Sequence, residues 1–245
     1  MKNYKHIIIT RFNLDFSKMP SYDPSYAGYQ RTAVWDKNRE DHRLRLLEDI
    51  PGQCILSQSN KNFEWVLACN PHTSSELKHR LDLLSKKIGF IPCYAEDWIK
   101  HVAGMGKNHK FLITTRLDAD DGISTDFVDL VQQEFSEQEF SEQEFQFINF
   151  NIGFQKKLGD KKSFLAHYDY NPFQSLVESS ANPKTIFCVQ HHLSYTVGEV
   201  RAVQNPHPVW LQVIHEDNIA NSLIDSENYI EYLDLKKWFC LREGS

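Results

Sequence analysis

The stretch "FLITTRLDADDGIS", residues 111–124, decides how the chain is read. Its first half is apolar and β-branched, the composition of a core strand. Its second half places three aspartates within four positions, Asp118, Asp120 and Asp121. In open α/β sheets, ligands gather beyond the carboxyl ends of the strands. Carboxylates are hard oxygen ligands that suit Mg²⁺ or Mn²⁺, and such ions commonly hold substrate phosphates as well. Three carboxylates this close repel one another, so one keeps its proton unless a cation or hydrogen-bond donors offset the charge. A second reading fits equally well. Acidic residues favour helix N-termini, and Ser124 or Thr125 can cap a following helix. Taken alone, the stretch supports both.

Outward from this stretch, strand-like and helix-like segments alternate. "HIIIT" (6–10) reads as a buried strand. "DKNREDHRLRLLEDI" (36–50) reads as an amphipathic helix stopped by Pro51 and Gly52. "NFEWVLACN" (62–70) is a second core strand. "SSELKHRLDLLSKKIG" (74–89) carries a Ser cap, leucines at helical spacing and a terminal glycine. "GFIPCYA" is a short strand, "EDWIKHVAGMG" a helix, and "STDFVDLVQQEF" a capped helix after the acidic stretch. The alternation predicts an α/β fold, a mixed, mostly parallel central sheet flanked by helices.

The second half is less regular. "FSEQEFSEQEF" (135–145) repeats a five-residue unit and receives no function. "FQFINFNIGFQ" reads as a strand. "NPFQSLVES" reads as a helix opened by Asn171 and Pro172, and "KTIFCV" as a strand. His191 and His192, if in a strand, would point to opposite faces. No linker rich in Gly, Pro or Ser divides the 245 residues, so one domain is expected. Its nucleotide-binding half would be about residues 1–125 and its acceptor-side half about 126–245.

Hydrophobic residues make up 41% of the chain and aromatics 13%, which places it among globular proteins. The net charge of −6 and the lack of a basic run argue against nucleic-acid binding. No segment has the length of a membrane span. A cytoplasmic protein is expected, with peripheral membrane contact open. The five cysteines form no CxxC pair, and read as buried hydrophobes in a reducing compartment.

Five blocks in order, "ITRFNL", "LSQSNKNFEW", "TTRLDADD", "NPFQSLVE" and "WLQVIHEDN", resemble the rhamnosyltransferase group of GT-A glycosyltransferases. The resemblance runs from about Thr10 to Asn218. "RLDADDGIS" is similar to the Asp-X-Asp signature of that fold. It implies a nucleotide-diphosphate sugar donor (UDP or dTDP in preference to GDP), a glycan hydroxyl as acceptor, and Mn²⁺ or Mg²⁺ as cofactor. It assigns Asp118 to the donor's ribose or sugar, and Asp120 to the metal with help from Asp118 and Asp121. Thr10, Arg11 and Asn13 would line the nucleotide pocket. Arg116 would pair with phosphate or brace the aspartates, and His215 would serve the metal or diphosphate.

An inverting transfer needs a base for the acceptor hydroxyl. Glu178 is the first candidate and Asp169 the second, with Asp217 and Glu199 behind them. Trp35 and Trp210 are candidates for stacking on a sugar or base. Two other classes use the same acidic cluster: a metal-dependent nucleotidyltransferase or nucleotide-sugar hydrolase, and an inactive carbohydrate-binding protein of similar fold.

Overall fold

The structure is a computed structural model. It describes residues 3–15, 37–136, 146–205, 207–216, 218, 223 and 229–242. The FSEQE repeat beyond Ser136, Trp35 and Asp217 lie outside the described residues.

Four strands, β1 (Tyr4–Arg11), β2 (Glu64–Ala68), β3 (Ile91–Cys93) and β4 (Phe111–Arg116), run parallel at the heart of the fold. Helices α1 (Lys37–Asp49), α2 (Pro51–Leu56), α3 (Ser75–Ile88), α4 (Trp98–Met105) and α5 (Phe127–Ser136) punctuate them. The expected alternation is present, with one change at Pro51. The proline does not end the helical region. It opens α2, where its missing N–H costs nothing because the first helical N–H has no intrahelical partner. Helix α3 is bounded as its sequence demands. The Ser74 side chain accepts from the Leu77 amide, and Gly89 takes a left-handed conformation at φ 87°.

Beyond the short β5 (Gly122–Ile123) come β6 (Gln146–Phe150), β7 (Ile152–Lys157), β8 (Lys162–His167) and β9 (Ser175–Ser179). β10 (Glu199–Val203), β11 (Trp210–Ile214), β12 (Tyr229–Glu231) and α6 (Tyr232–Leu235) follow. The central sheet has the order β10-β6-β9-β4-β1-β2-β3, and only β9 runs against the others. A second sheet has the order β12-β8-β7-β11-β5. The aromatic run read as one strand is two. It passes from one sheet to the other at Asn151, between β6 and β7. Residues of both sheets meet in one hydrophobic core that includes Ile8, Trp65, Ile113, Phe150, Phe154 and Trp210. The fold class is the expected one, a mixed, mostly parallel α/β sheet flanked by helices.

Three local expectations are corrected. "NPFQSLVES" forms strand β9, not a helix. It is paired on both sides, with β4 and β6, so its side chains are buried on both faces and show no alternation. "KTIFCV" holds a 3₁₀ turn at Ile186–Cys188, not a strand. His191 and His192 open a second 3₁₀ stretch, His191–Thr196, so the opposite-faces argument does not apply.

Candidate active site

Strand β4 delivers Leu117 and the three aspartates to the carboxyl edge of the central sheet. The Asp121 amide bonds back to the Asp118 carbonyl at 3.3 Å, which closes the acidic segment into a turn. β5 follows at once and pairs antiparallel with β11. The turn is therefore tied at one end to the central sheet and at the other to the second sheet.

The three carboxylates have different surroundings. Asp118 is gripped by two arginines. Arg116 reaches its two oxygens through Nη2 at 2.7 Å and Nε at 3.3 Å, and Arg11 Nη2 adds a contact at 3.2 Å. Burial alone would push the Asp118 pKa up. The guanidiniums of Arg116 and Arg11 outweigh it and hold the carboxyl well below the usual range. Burial, together with the Arg116 charge, in turn lowers Arg11 to about 10 despite Asp118. The Arg11 guanidinium also lies 4.9 Å above the Phe187 ring.

Asp120 uses one oxygen, Oδ2, for three partners. Arg43 Nη1 lies at 2.9 Å, His215 Nε2 at 2.8 Å and Asn218 Nδ2 at 3.2 Å. Burial raises the pKa of this carboxyl, but Arg43 and the His215 contact lower it further, and the net direction is down. The Asn218 Oδ1 accepts from the His215 amide at 2.6 Å, and the His42 ring packs edge-on to His215 at 5.5 Å. Asp121 differs from both. Burial first, then the charges of Asp120 and Asp118, push its pKa well above normal. Its Oδ1 accepts the Val213 amide of β11 at 2.9 Å. The repulsion expected from sequence is thus resolved by five cationic or donor side chains on Asp118 and Asp120, and by the raised pKa of Asp121.

The remaining predicted residues divide clearly. Arg11, Arg116, Asp118, Asp120, Asp121 and His215 come together. Thr10 does not line an open pocket. It is fully buried, and its Oγ1 accepts from Trp65 Nε1 at 2.9 Å. Asn13 is also buried and spans two loops, donating to Thr73 Oγ1 at 3.0 Å and accepting from the Asn70 amide at 2.9 Å. Trp210 is fully buried, stacks with the Tyr168 and Phe173 rings, and donates to the Phe150 carbonyl, so it is not open to a sugar. Gly153 makes room for it: a Cβ there would stand 1.9 Å from the indole.

Glu178 is the largest displacement from expectation. It pairs with Leu112 near the start of β4. That is six residues short of Asp118, roughly 20 Å along the strand direction at 3.3 Å per residue. Its two oxygens accept the Lys184 and Thr185 amides at 2.7 and 2.8 Å. Burial raises its pKa to about 7 against the pull of those amides. Its partner Thr185 has φ 66°, an unusual conformation for a β-branched residue. Glu178 braces a turn at the far edge of the sheet. Glu199 starts β10 opposite Gln146, also at that far edge. Asp169 is exposed on the turn between β8 and β9, at the carboxyl edge where the aspartates lie.

Sequence reasoning missed Arg43 and Asn218 as partners of Asp120, and Phe187 beneath the arginines. Arg43 sits on α1 among other charged residues, and nothing in that run singles it out. Asn218 lay inside a quoted block, and its nearness to His215 was the available signal.

The chain matches the family described as "Putative rhamnosyl transferase" over residues 5–226, and it belongs to that family. Its class is therefore that of a glycosyltransferase-type enzyme. No curated protein matches the sequence. Among solved structures, a cytidylyltransferase from Leptospira borgpetersenii is similar at 14% identity and TM-score 0.40, over 84% of this chain and 77% of that one. A protein described as "putative nucleotide-diphospho-sugar transferase" from Desulfovibrio desulfuricans is similar at 8% identity and TM-score 0.38, over 87% and 82%. Residues 1–349 of S. aureus TarS are similar at 11% identity and TM-score 0.36, over 85% and 60%. Likeness at this level says nothing of substrate. Among the described residues, no helix is long and apolar enough to cross a membrane.

Proposed function

We propose that the protein transfers a sugar, L-rhamnose on the family's description, from a nucleotide-diphosphate donor to a glycan hydroxyl with the help of a divalent metal and with inversion. The observation that carries this is a pair of carboxylates, half-buried Asp118 and buried Asp120, both held ionised at the carboxyl edge of the sheet. They stand among Arg11, Arg43 and Arg116, a cationic surround suited to a diphosphate.

Among the described residues, no group of three or more His, Cys, Asp or Glu is arranged to hold an ion. Asp120 and His215 nevertheless offer a carboxylate and an imidazole in direct contact, donors that would suit Mn²⁺ or Mg²⁺. Asp120 and His215 would hold the ion. When bound, it supplies charge neutralisation at the leaving diphosphate.

The chain's own residues do the rest. Arg116 and Arg11 fix Asp118 so that its remaining lone pairs can accept a hydroxyl of the donor. Arg43 keeps Asp120 ionised and places a cation beside the leaving group. The bond from the anomeric carbon to the diphosphate breaks as the acceptor oxygen attacks from the opposite face, through an oxocarbenium-like state. The acceptor proton passes to a carboxylate. Asp169 replaces Glu178 in that role, because it alone of the two lies exposed at the correct edge.

The test is sugar transfer from UDP-, dTDP- and GDP-linked donors to a glycan acceptor, with and without Mn²⁺, in the wild type and Asp120→Ala. The expected outcome is metal-stimulated transfer that falls by about 10³-fold in the variant. Full activity of the variant in saturating Mn²⁺ would remove the metal assignment. Pyrophosphate release, or donor breakdown at full rate without acceptor, would point to nucleotidyl transfer or hydrolysis.

A further inference from the structure

A small cavity opens beside Arg116, on the side of β4 away from β1. The strand order explains its place: β9 and β6 lie on that side of β4, while β1 and β2 lie on the other. Its polar lining is Arg116, Gln174 and His191, and its apolar wall is Phe147, Pro172, Ile186 and Val189. The free space is about 10 Å³, the room of a single hydroxyl or water.

Gln174 is the unusual member. It is 1% exposed, and its Nε2 donates to Asn149 Oδ1 at 3.2 Å. Its Oε1 is buried with no hydrogen-bond partner. An acceptor left in that state costs about 1–3 kcal/mol, so it calls for a donor from outside the protein. The amide cannot turn over to escape, since Asn149 Oδ1 also accepts the Asn171 amide at 2.9 Å and needs N–H groups facing it. Gln174 is held in place from the other side as well, because its carbonyl accepts the Arg116 amide at 3.1 Å.

The rest of the lining narrows the ligand. Arg116 commits Nε and Nη2 to Asp118, and its Nη1 lies 3.3 Å from His191 Nδ1. With Nδ1 facing a donor that is always protonated, the ring proton of a neutral His191 sits on Nε2. The lining contains no carboxylate for a cation. One acceptor, one imidazole and an apolar wall match a neutral hydroxyl on a carbon ring. Arg116 lines this cavity and also binds Asp118.

We propose that this cavity receives one hydroxyl of the transferred sugar, which donates a hydrogen bond to Gln174 Oε1, and so helps set which sugar is used. The proposal rests on the glycosyl-transfer reading above. It makes Gln174 a specificity residue that contacts the sugar and not the nucleotide.

The experiment is calorimetric binding to the full chain in Mn²⁺, using UDP and dTDP alone, then UDP-glucose and dTDP-L-rhamnose. Three proteins are compared: wild type, Gln174→Leu and Val189→Phe. Gln174→Leu removes the acceptor. Val189→Phe fills the cavity from the opposite wall and leaves the Gln174–Asn149 bond alone, so it decides the matter if the first variant does not fold. The expected result is that the sugar nucleotide preferred by the wild type loses about tenfold in affinity in both variants, the worth of one hydrogen bond. The matching nucleoside diphosphate should bind all three proteins alike. Undiminished binding of that sugar nucleotide by the folded variants would overturn the proposal and leave glycosyl transfer standing. Failure of the wild type to bind any of the four compounds would overturn both.

Discussion

At the carboxyl edge of the central sheet, Asp118 is half-buried against two guanidiniums. At the amino edge, Glu178 is buried against two backbone amides. The first carboxyl is driven below the usual range and the second up to about 7. Burial acts on both in the same direction. What differs is whether full opposite charges are near enough to outweigh it. A carboxylate keeps its charge at neutral pH when such cations are near, and the arginine clamp provides them. A brace for a turn needs only shape and acceptors, and Glu178 supplies those.

The two edges should therefore fail differently. The largest effect is expected for Asp118→Ala, which removes the carboxylate that the mostly buried Arg11 and Arg116 share. Loss of one partner from such a cluster costs about 3–5 kcal/mol, measurable by urea unfolding near neutral pH. A cost below about 1 kcal/mol would mean that the clamp is not holding charge out of water.

The next test separates the edges by pH. The Asp118 pKa is depressed, so its contribution to stability is present above about pH 4 and is lost as pH falls through the lower folded value. Glu178 has the opposite sign. Its folded pKa of about 7 lies above the unfolded value, so the folded state holds an extra proton between the two. Its contribution is fullest at acid pH and declines as pH rises toward 7. The stability difference between wild type and Glu178→Gln should thus shrink by about 3 kcal/mol between about pH 4.5 and pH 8. Parallel stability–pH curves for the two proteins would refute the raised pKa. Sugar transfer by folded Glu178→Gln should stay within about threefold of wild type at a temperature well below its midpoint, since the residue lies roughly 20 Å from Asp118 along the strand direction.

A smaller loss than that from Asp118→Ala is expected for Arg43→Gln. It withdraws one of three partners from Asp120 and leaves His215 and Asn218. Transfer should fall by about tenfold in kcat/KM, with part of the loss in donor KM. An unchanged KM for the donor would confine Arg43 to bracing Asp120.

How much of this was legible in the sequence follows from the kind of signal each part carries. Strands β1, β2 and β4 announce themselves as apolar, β-branched runs, and α3 carries both its caps. The acidic turn was visible because three aspartates in four residues are rare and costly together. β9 was misread because a strand buried on both faces has no alternation, and its Phe173, Leu176 and Val177 also fit a helical spacing. That misreading carried Glu178 to the wrong end of the molecule, since register across β4 decides which edge a β9 residue occupies. Arg43 was hidden for another reason. Its contact with Asp120 spans 77 positions, and local pattern holds no information at that range.

The acidic turn also has a consequence for how the chain comes into being. Asp120 takes its partners from residues 43, 215 and 218, and Asp121 is fastened to Val213. A ribosome releasing the chain from its amino end makes the turn long before it makes β11. Until then the turn lacks His215, Asn218 and the Val213 amide, so the nascent protein carries the aspartates without the arrangement that organises them. Competence to act would arrive late and abruptly, on docking of the last third of the chain, and a product truncated before residue 213 would keep much of the central sheet while lacking that arrangement.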